Sequence, residues 1–452
     1  MGLFKEIMSQ KAGALGVIIL AVLIALAIWA PIQYGKYYAY WRNTSYWSLY
    51  PKAVPPDWVS LFSSKKLPPT IFLKPSNVTQ KSLYHGLAKE ITYKFEVNFN
   101  YDEPPNDVIF VLNVKYQKPP AIMIYVTRPD GETVKILQGS ASSLNNVIQI
   151  NNDQSVKDNI YSWLLSKGLN VSSPSAIVPT DAIFCKLSNG CWNNPQVLKG
   201  KYVFTIKMIG LGNFTAKPLV DLTGKTYGLM GTDVFGRDIF IYVMLGLPYG
   251  LAVGILASVI AAFFGTIYGL VSGYFGGIVD KIMQRILEIW YSIPALPLLI
   301  LAAIVFRPSI WLITVFIAIF AWMGVGKVVR SMALQLRNEG YVVAAKAAGA
   351  SDRWIMLKHV LPQLLPYTMA QVALGVPGAI LTEVGLDFLG LGDPNVPTWG
   401  WLLHDANVYG ATVNGYWWWV IPPGLMAALV GLAFALIGYA MDVILNPRLR
   451  ER

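Results

Sequence analysis

Long apolar segments at both ends of the chain enclose a polar section of different character. Residues 12–35 and 239–279 carry no charged side chain. At about 1.5 Å per residue the second segment exceeds a hydrocarbon core of about 30 Å, which predicts one long helix centred on residues 249–271. The other apolar runs are residues 289–306, 309–325, 364–389 and 418–445. We therefore predict six membrane-spanning helices, with Pro294 and Pro297 kinking the third.

The first apolar segment has a second interpretation. Ala25-Leu26-Ala27 resembles the small-residue cleavage site of a secretory signal peptide. The uncharged run is longer than the apolar region of a signal peptide, so we expect a retained helix over residues 1–35.

Residues 36–227 show the period of two that is expected for strands. Apolar and polar side chains alternate from Ile91 to Tyr101, which is typical of a half-buried strand. Two further strands flank the turn sequence Arg128-Pro129-Asp130-Gly131, and residues 153–167 predict one helix. At about 190 residues this section can bury its own core. We predict an all-α polytopic membrane protein with an inserted, mainly β domain, and a helical core over residues 228–452.

Composition supports the membrane assignment. Of the 452 residues, 54% are hydrophobic and only 13% are charged, and mean hydropathy is +0.47. Such a chain cannot cover its surface with polar groups, so membrane lipid must form part of its surroundings. The net charge of +11 could suggest nucleic acid. We instead attribute it to basic loops on the inner side of a membrane and expect no nucleic-acid partner.

The distribution of basic residues predicts the orientation. Lys and Arg cluster before the first span, after the second, between the fourth and fifth, and at the C-terminus. These residues are Lys5, Lys11, Lys281, Arg285, Lys327, Arg330, Arg337, Lys346, Arg353, Lys358, Arg448, Arg450 and Arg452. The alternate short loops lie near residue 307 and over residues 391–417. Arg307 is the only Lys or Arg residue that they contain. We therefore expect a multi-pass cell-membrane protein with both termini and the 327–363 loop cytoplasmic and residues 36–227 outside.

Two further features of residues 36–227 fit an external domain. The four N-x-S/T sequons of the chain all lie there, at Asn43, Asn77, Asn170 and Asn213. They are candidate glycosylation sites. Cys185 and Cys191 form either a disulfide or two reduced structural thiols, with neither favoured. No CxxC pair or His/Cys cluster predicts a metal site.

The segment from Gly340 to Pro362 predicts two short helices around a turn. Its alanine-rich first half favours helix, and Gly349 suits a left-handed C-cap. Ser351 can cap the next helix, with Asp352 in its first turn, and Pro362 can open the following span. Small alanine side chains let a partner's groove approach the backbone closely. The helix pair is therefore either a lever inserted into another subunit or a hairpin lying on the membrane.

This segment resembles the EAA loop of ABC importer permeases. Ala344-Ala345, Gly349 and Leu361-Pro362 fit the spacing of that pattern. Val343 stands where Glu is usual and His359 where Ile is usual. Other stretches resemble the dipeptide/oligopeptide branch of the same superfamily, in the same order along the chain. They are residues 231–238 (GTDVFGRD), residues 273–277 (GYFGG) with Asp280, residues 380–392, and Asn446-Pro447-Arg448. The chain resembles the C-type permease subunit of a dipeptide/oligopeptide importer, and its large insertion resembles archaeal members.

The resemblance implies an ABC type I importer fold, oligopeptide import by alternating access, and a defined set of partners. They are a second, B-type permease, two ATPase subunits and an external substrate-binding protein. ATP and Mg²⁺ would bind the ATPases, because this chain has no G-x-x-x-x-G-K-[ST] sequence. The chain would therefore be a transport subunit and not itself an enzyme. The residues implied to contact an ATPase are Ala344, Ala345, Lys346, Ala348, Gly349, Ala350, Ser351 and Asp352.

Two acidic residues in the fifth span and two charged residues before the second have open roles. Glu383 and Asp387 share a helical face; they either line the translocation path or a gate, or shape the outer mouth. Asp233 and Arg237 could pair on a short helix capped by Thr232. The external domain would either guide docking of the binding protein or protect the outer opening.

Other functions fit the sequence less well. Oligosaccharides are the alternative cargo of the same machine, and nickel is disfavoured because the spans lack His and Cys ligands. An ion-coupled secondary transporter would predict inverted repeats and charged relays, which are not evident. A membrane-anchored enzyme would need a catalytic constellation that residues 36–227 do not show, and it would leave five further spans unexplained.

Overall fold

A computed structural model describes residues 3–83, 88–306 and 308–445. The chain divides into two compact units. The helical unit comprises residues 1–42 and 239–452, and the polar unit comprises residues 43–238. Both boundaries fall later in the chain than the predicted 36 and 227. Arg307, Arg448, Arg450 and Arg452, and with them the Asn446-Pro447-Arg448 ending, lie outside the described residues.

The helices and strands are as follows. The helices are α1 (Leu3–Ser9), α2 (Lys11–Tyr34), α3 (Thr44–Trp47), α4 (Gln154–Ser166), α5 (Pro179–Phe184), α6 (Ile239–Phe275), α7 (Gly277–Ser292), α8 (Ala295–Val305), α9 (Ile310–Leu336), α10 (Gly340–Ala347), α11 (Asp352–Ile355), α12 (Leu361–Phe388), α13 (Trp399–Val408) and α14 (Trp417–Leu445). The strands are β1 (Ile71–Leu73), β2 (Asn77–Leu83), β3 (Ala88–Phe99), β4 (Asp107–Tyr116), β5 (Ala121–Thr127), β6 (Thr133–Ser140), β7 (Asn145–Gln149), β8 (Gly200–Leu211) and β9 (Phe214–Thr223).

Helix α6 is the centre of the helical unit and packs against α9, α12 and α2. Gly265, Gly269 and Gly273 recur every four residues along α6 and meet the backbone of α9. A Cβ atom at Gly269 would lie 2.6 Å from the Gly326 carbonyl oxygen. Small residues at this spacing allow two membrane helices to approach closely. The α6–α9 contact therefore requires that these three positions carry no side chain.

The third predicted span is broken. Instead of one kinked helix over residues 289–306, α7 and α8 meet at 73°. Pro294 precedes α8 as its N-cap residue, because a proline cannot continue α7. Within the described residues, five helices are long and apolar enough to cross a membrane, and the bent pair would make a sixth. The prediction of six spans therefore holds only if α7 and α8 together cross the membrane as one span.

The polar unit contains two antiparallel sheets. Their strand orders are β1-β9-β4-β7 and β2-β3-β8-β5-β6. Buried side chains from both sheets form one core, in which the rings of Phe110 and Phe204 lie 6.1 Å apart. The predicted hairpin is present as β5 and β6, and the predicted helix as α4, capped by Asp153. These features confirm the strand, turn and helix signals read from the sequence.

Two local predictions are wrong. Asp233 and Arg237 pair, with Arg237 Nε 2.5 Å from Asp233 Oδ2, but in a tight turn and not on a helix. The hydroxyl oxygen of Thr232, in the same region, accepts from the Val54 backbone N–H. The second is drawn from the three consecutive tryptophans Trp417, Trp418 and Trp419, which predict an aromatic belt at the outer membrane interface. Trp419 is completely buried and Trp418 nearly so, because the start of α14 packs inside the helical unit.

Candidate functional site

The loop between α9 and α12 begins with a helix that ends in a defined cap. In α10, the backbone N–H of Ala350 donates to the Ala345 carbonyl and that of Gly349 to the Lys346 carbonyl. This pair of bonds is the Schellman motif, which requires a left-handed residue after the helix. Gly349 supplies it with a φ of 86°. The predicted glycine cap is confirmed, and it fixes where α10 ends.

The second predicted short helix is wrong in extent. Ser351 caps α11 as expected, accepting from the Trp354 N–H at 3.4 Å. However, α11 does not end in a turn; residues 352–388 continue as one helical stretch through a π-helical turn at Met356–Val360. Pro362 lies just after that turn. Because proline has no N–H and its ring crowds the carbonyl four residues earlier, the wider π turn lets the helix continue past it.

Residues 340–360 have one buried face and one exposed face. Val342, Ile355 and Val360 are buried in a cluster with the ends of α6 and α9. Most of the residues assigned to partner contact point away from this cluster, whereas Ala345 and Ala350 pack against it. Ala344, Lys346, Ala348, Gly349 and Ser351 are exposed, and Ala345, Ala350 and Asp352 are partly exposed. The segment is therefore anchored to the spans by large apolar side chains. Its exposed face carries small side chains together with Tyr341, Val343 and Trp354.

A polar network also joins this segment to the spans. The Tyr274 hydroxyl, at the end of α6, donates to Asp352 Oδ1 over 2.8 Å. Close by, Arg330 of α9 binds Asp280 of α7 with two hydrogen bonds of 2.6 and 2.7 Å. A bidentate guanidinium–carboxylate pair fixes relative orientation as well as distance. The ends of α6, α7 and α9 are thus held together beneath the anchored segment.

A cavity separates α10 from these helix ends. It measures about 450 Å³ and is lined by Tyr274, Arg337, Val342 and Lys346, among others. The Arg337 guanidinium lies against Gly276, where a Cβ would be 2.0 Å from a guanidinium nitrogen. The exposed face of α10 therefore lies beside open space, while its Val342 side stays packed against the ends of α6 and α9.

Glu383 and Asp387, on α12, are brought together and are almost completely buried. Their carboxyl groups interact directly, and Thr398 donates a hydrogen bond to Asp387. Side chains at Gly392 or Gly400 would collide with Asp387. The carboxyl groups are therefore enclosed by the segment that connects α12 to α13.

The remaining predicted residues lie in the polar unit. The four sequon residues Asn43, Asn77, Asn170 and Asn213 are all exposed. The sulfur atoms of Cys185 and Cys191 lie in direct contact. Among the residues that the structure describes, no group of three or more His, Cys, Asp or Glu side chains could hold a metal ion.

Sequence reasoning missed several residues that organise these regions. Tyr274, Arg330 and Arg42 had no assigned partner, because their partners lie far away in sequence. Arg42 lies over the rings of Trp41 and Trp401 and donates to the Pro394 carbonyl over 2.9 Å. In the polar unit, buried Arg128 donates to the carbonyls of Ala182, Ile183 and Cys185. Only a turn signal marked that arginine in the sequence.

Comparison with known proteins gives one consistent answer. Residues 254–451 match the family model of the binding-protein-dependent transport system inner membrane component. The dipeptide transport system permease protein DppC of Bacillus subtilis (strain 168) is 37% identical over 222 residues, covering 49% of this chain and 69% of that protein. The oligopeptide transport system permease protein OppC of Haemophilus influenzae is 38% identical over 227 residues, covering 50% and 72%. The DppC protein of Escherichia coli (strain K12) is 37% identical over 237 residues, covering 52% and 78%. The chain belongs to the family of binding-protein-dependent inner-membrane transport components, as a multi-pass permease related to those of dipeptide and oligopeptide transport systems.

Proposed function

We propose that this chain is a permease subunit of an ATP-driven importer that moves oligopeptides across the cell membrane. The observation that carries the proposal is α10: a capped helix with exposed alanines, anchored by Val342 to the ends of the long spans. Its relatives are permeases named for dipeptide and oligopeptide transport. Such a helix can transmit movement only if a second subunit holds its exposed face.

The partner at that face is an ATPase subunit. The exposed alanines give a narrow ridge that fits a groove, and Lys346 and Asp352 supply charge at its rim. In this proposal Ala344–Asp352 are seated in the ATPase, which holds ATP and Mg²⁺. Closure of two ATPases around ATP moves α10. The spans then change between inward-open and outward-open states, because the partners bind the two states with different affinities.

The complete importer needs further chains. A second permease of the B type completes the path, and an external binding protein delivers the peptide. This chain supplies no catalytic residue in the proposal; hydrolysis belongs to the ATPases.

The proposed orientation places both termini and the 327–363 loop in the cytoplasm. The basic residues that adjoin the spans on that side support it. The polar unit is then outside, where the exposed sequons at Asn43, Asn77, Asn170 and Asn213 could carry glycans and Cys185 and Cys191 could form a disulfide. We assign this unit to docking of the binding protein. The large insertion is also what supports an archaeal origin.

Glu383 and Asp387 have a supporting role in this proposal. Buried carboxyl groups that bond to Thr398 and to each other hold the segment after α12 in place. They shape the outer end of the path and do not bind the peptide. The burial of both side chains supports this choice over direct substrate contact.

Affinity purification of this chain from native membranes, followed by mass spectrometry, tests the function. The proposal predicts recovery of a second permease, one or two P-loop ATPases and a binding protein whose bound ligands are peptides. A chain that purifies alone and transports with only an ion gradient would contradict the ATP-driven assignment. Sugars as the bound ligands of the binding protein would contradict only the proposed peptide cargo and not the ATP-driven import.

A further inference from the structure

A groove lies at mid-length of the long helices of the helical unit. It measures about 410 Å³ and is formed by residues 257–261 of α6, 295–299 of α8, 317–325 of α9 and 371–382 of α12. The EAA-like segment, residues 340–362, does not contribute to its wall, and neither does the buried pair Glu383 and Asp387. The groove is therefore separate from the sites described above.

Two glycines that line this groove have no packing reason to be glycine. A Cβ atom added at Gly324 or Gly378 would meet nothing within 4 Å. Neither residue has a positive φ among the described backbone angles. Glycine inside a helix costs about 1 kcal/mol relative to alanine. The helices accept this cost at two positions facing the same space, and the result is a wider groove.

One buried hydroxyl group in the groove has no partner. Ser258 is 5% exposed, and within the described part of the chain its Oγ atom makes no hydrogen bond. An unsatisfied buried polar group costs about 1–3 kcal/mol, which a ligand or water can offset. A Cβ at Gly375 would lie 3.0 Å from Ser258 Oγ, so the glycine avoids a tight contact with the hydroxyl. Ser258 is thus a polar group held ready in an otherwise small-residue wall.

The other polar groups of the wall are neutral as well. Gln371 contributes an amide, and Thr382, whose hydroxyl donates to the Gly378 carbonyl, keeps acceptor capacity. Among the described residues that line the groove, none has an ionisable side chain. A wall of this kind offers hydrogen bonds without selecting for charge.

We propose that this groove is the part of the translocation path that this chain contributes, and that Ser258, Gln371 and Thr382 bind main-chain amide groups of the passing peptide. The inference rests on the proposed function. Every peptide carries the same backbone N–H and C=O groups, whatever its side chains. Neutral donors and acceptors therefore bind peptides in general. A fixed charge would instead bind peptides of opposite charge more tightly and slow their release.

Accessibility to a water-soluble reagent tests the path without any cargo. Gly378→Cys and Leu381→Cys are matched variants on α12; Leu381 is 62% exposed and does not line the groove. In the transporter isolated with its native partners and reconstituted in lipid vesicles, we expect the charged thiol reagent methanethiosulfonate-ethylammonium to label Gly378→Cys at least tenfold faster than Leu381→Cys. The unaltered chain gives the background. Equal rates at the two positions would overturn the proposal.

Filling the groove tests its use in transport. Gly378→Leu should lower uptake of trialanine at least tenfold. Gly424→Leu is the matched control, because Gly424 on α14 also faces open space but lies outside the groove; its uptake should stay within twofold of the unaltered chain. Similar uptake by both variants would contradict the path. If the unaltered chain imports no trialanine, the proposed cargo fails, while the labelling experiment still decides on the groove.

The backbone-binding role has its own test. Ser258→Ala should lower uptake of trialanine, trilysine and triglutamate by the same factor, between about twofold and tenfold. Selection by the binding protein cancels, because each peptide is compared with its own uptake by the unaltered chain. Factors that differ more than threefold among the three peptides, or no reduction for any of them, would overturn the assignment of Ser258.

Discussion

Gly349 is the residue at which the EAA-like segment depends most on one backbone angle. Its φ of 86° is the left-handed conformation that ends α10. Nothing lies within 4 Å of the position that a Cβ would take, so the requirement is conformational and not steric. The glycine was predictable from the sequence, because an alanine-rich helix followed by glycine is a common C-terminal signal.

Replacing Gly349 should loosen the end of α10. Gly349→Ala would place a Cβ in the left-handed region at a cost of about 1–2 kcal/mol. We expect peptide-stimulated ATPase activity of the assembled transporter to fall about threefold or more. Gly340→Ala is the control, since Gly340 has a free Cβ direction and no positive φ. Equal activity of the two variants would show that the cap is not needed for coupling.

Asp221 is the most unusual ionisable residue of the polar unit. It is fully buried on β9, and among the described residues neither carboxyl oxygen has a hydrogen-bond partner. Burial, and secondarily the carboxyl of Asp107, raises the pKa of Asp221 to about 8. The pKa of Asp107 is itself raised to about 6 by burial. The burial of Asp221 could not be predicted from the sequence, because its face of the sheet is covered by residues distant in sequence.

This carboxyl group should make the polar unit less stable as pH rises. The carboxyl group of Asp221 holds its proton more tightly in the folded state than in the unfolded chain, where its pKa is near 3.8. Stability is therefore fully present below pH 3.8 and is lost as pH rises through about 8, at ~1.4 kcal/mol for each pH unit between the two values. Scanning calorimetry of the full chain should show a lower unfolding temperature at pH 8 than at pH 5.

Asp221→Asn isolates the contribution. The amide is neutral at every pH, so the stability advantage of the variant over the unaltered chain should be several-fold larger at pH 8 than at pH 5. Asp158→Asn, which changes an exposed aspartate on α4, should keep the original pH dependence. An identical loss of stability in Asp221→Asn and the unaltered chain would mean that Asp221 is ionised in the folded unit.

At the scale of elements, the joints between helices were less predictable than the helices. Long apolar runs predicted α2, α6, α9, α12 and α14, because length and composition alone identify such spans. The π turn before α12 and the 73° break between α7 and α8 were not predicted. Both depend on how a proline is accommodated by neighbouring helices, which the local sequence does not encode.

The hydrogen bond from Tyr274 to Asp352 should carry movement from the EAA-like segment to α6. Tyr274→Phe removes the hydroxyl and keeps the ring. We expect ATP hydrolysis to continue while the number of peptides imported per ATP falls at least threefold. Tyr268→Phe is the matched control, because the Tyr268 hydroxyl, also on α6, donates to the Met283 carbonyl and not to the segment. An unchanged ratio of import to hydrolysis in Tyr274→Phe would exclude this route.

The glycine contact between α6 and α9 should determine the stability of the helical unit. Gly269→Ala adds a Cβ within 2.8 Å of three α9 atoms, so we expect destabilisation of about 1–3 kcal/mol. Gly424→Ala, which meets nothing, should be neutral or slightly stabilising. Thermal unfolding of both variants in detergent measures the difference. An unfolding temperature for Gly269→Ala equal to that of the control would mean that the helices separate freely at this point.

At the scale of the whole molecule, the sequence pattern separated a helical unit from a polar unit but misplaced their limits. Residues 228–238 fall within the polar unit, although their motif resembles the segment ahead of a span. The buried pair of Asp233 and Arg237 explains the difference, since it belongs to a turn packed within the polar unit. The groove of α6, α8, α9 and α12 was not predicted either, because four separate helices form it.

The central claim is that α10 is held by an ATPase. A photoreactive amino acid introduced at Ala348 in native membranes tests it most directly, with the same group at Leu381 as the control. We predict that Ala348 cross-links to a chain containing a G-x-x-x-x-G-K-[ST] sequence, that ATP changes the yield, and that Leu381 gives no such product. A transport-competent membrane in which Ala348 reaches only lipid, or only this chain, would contradict the account.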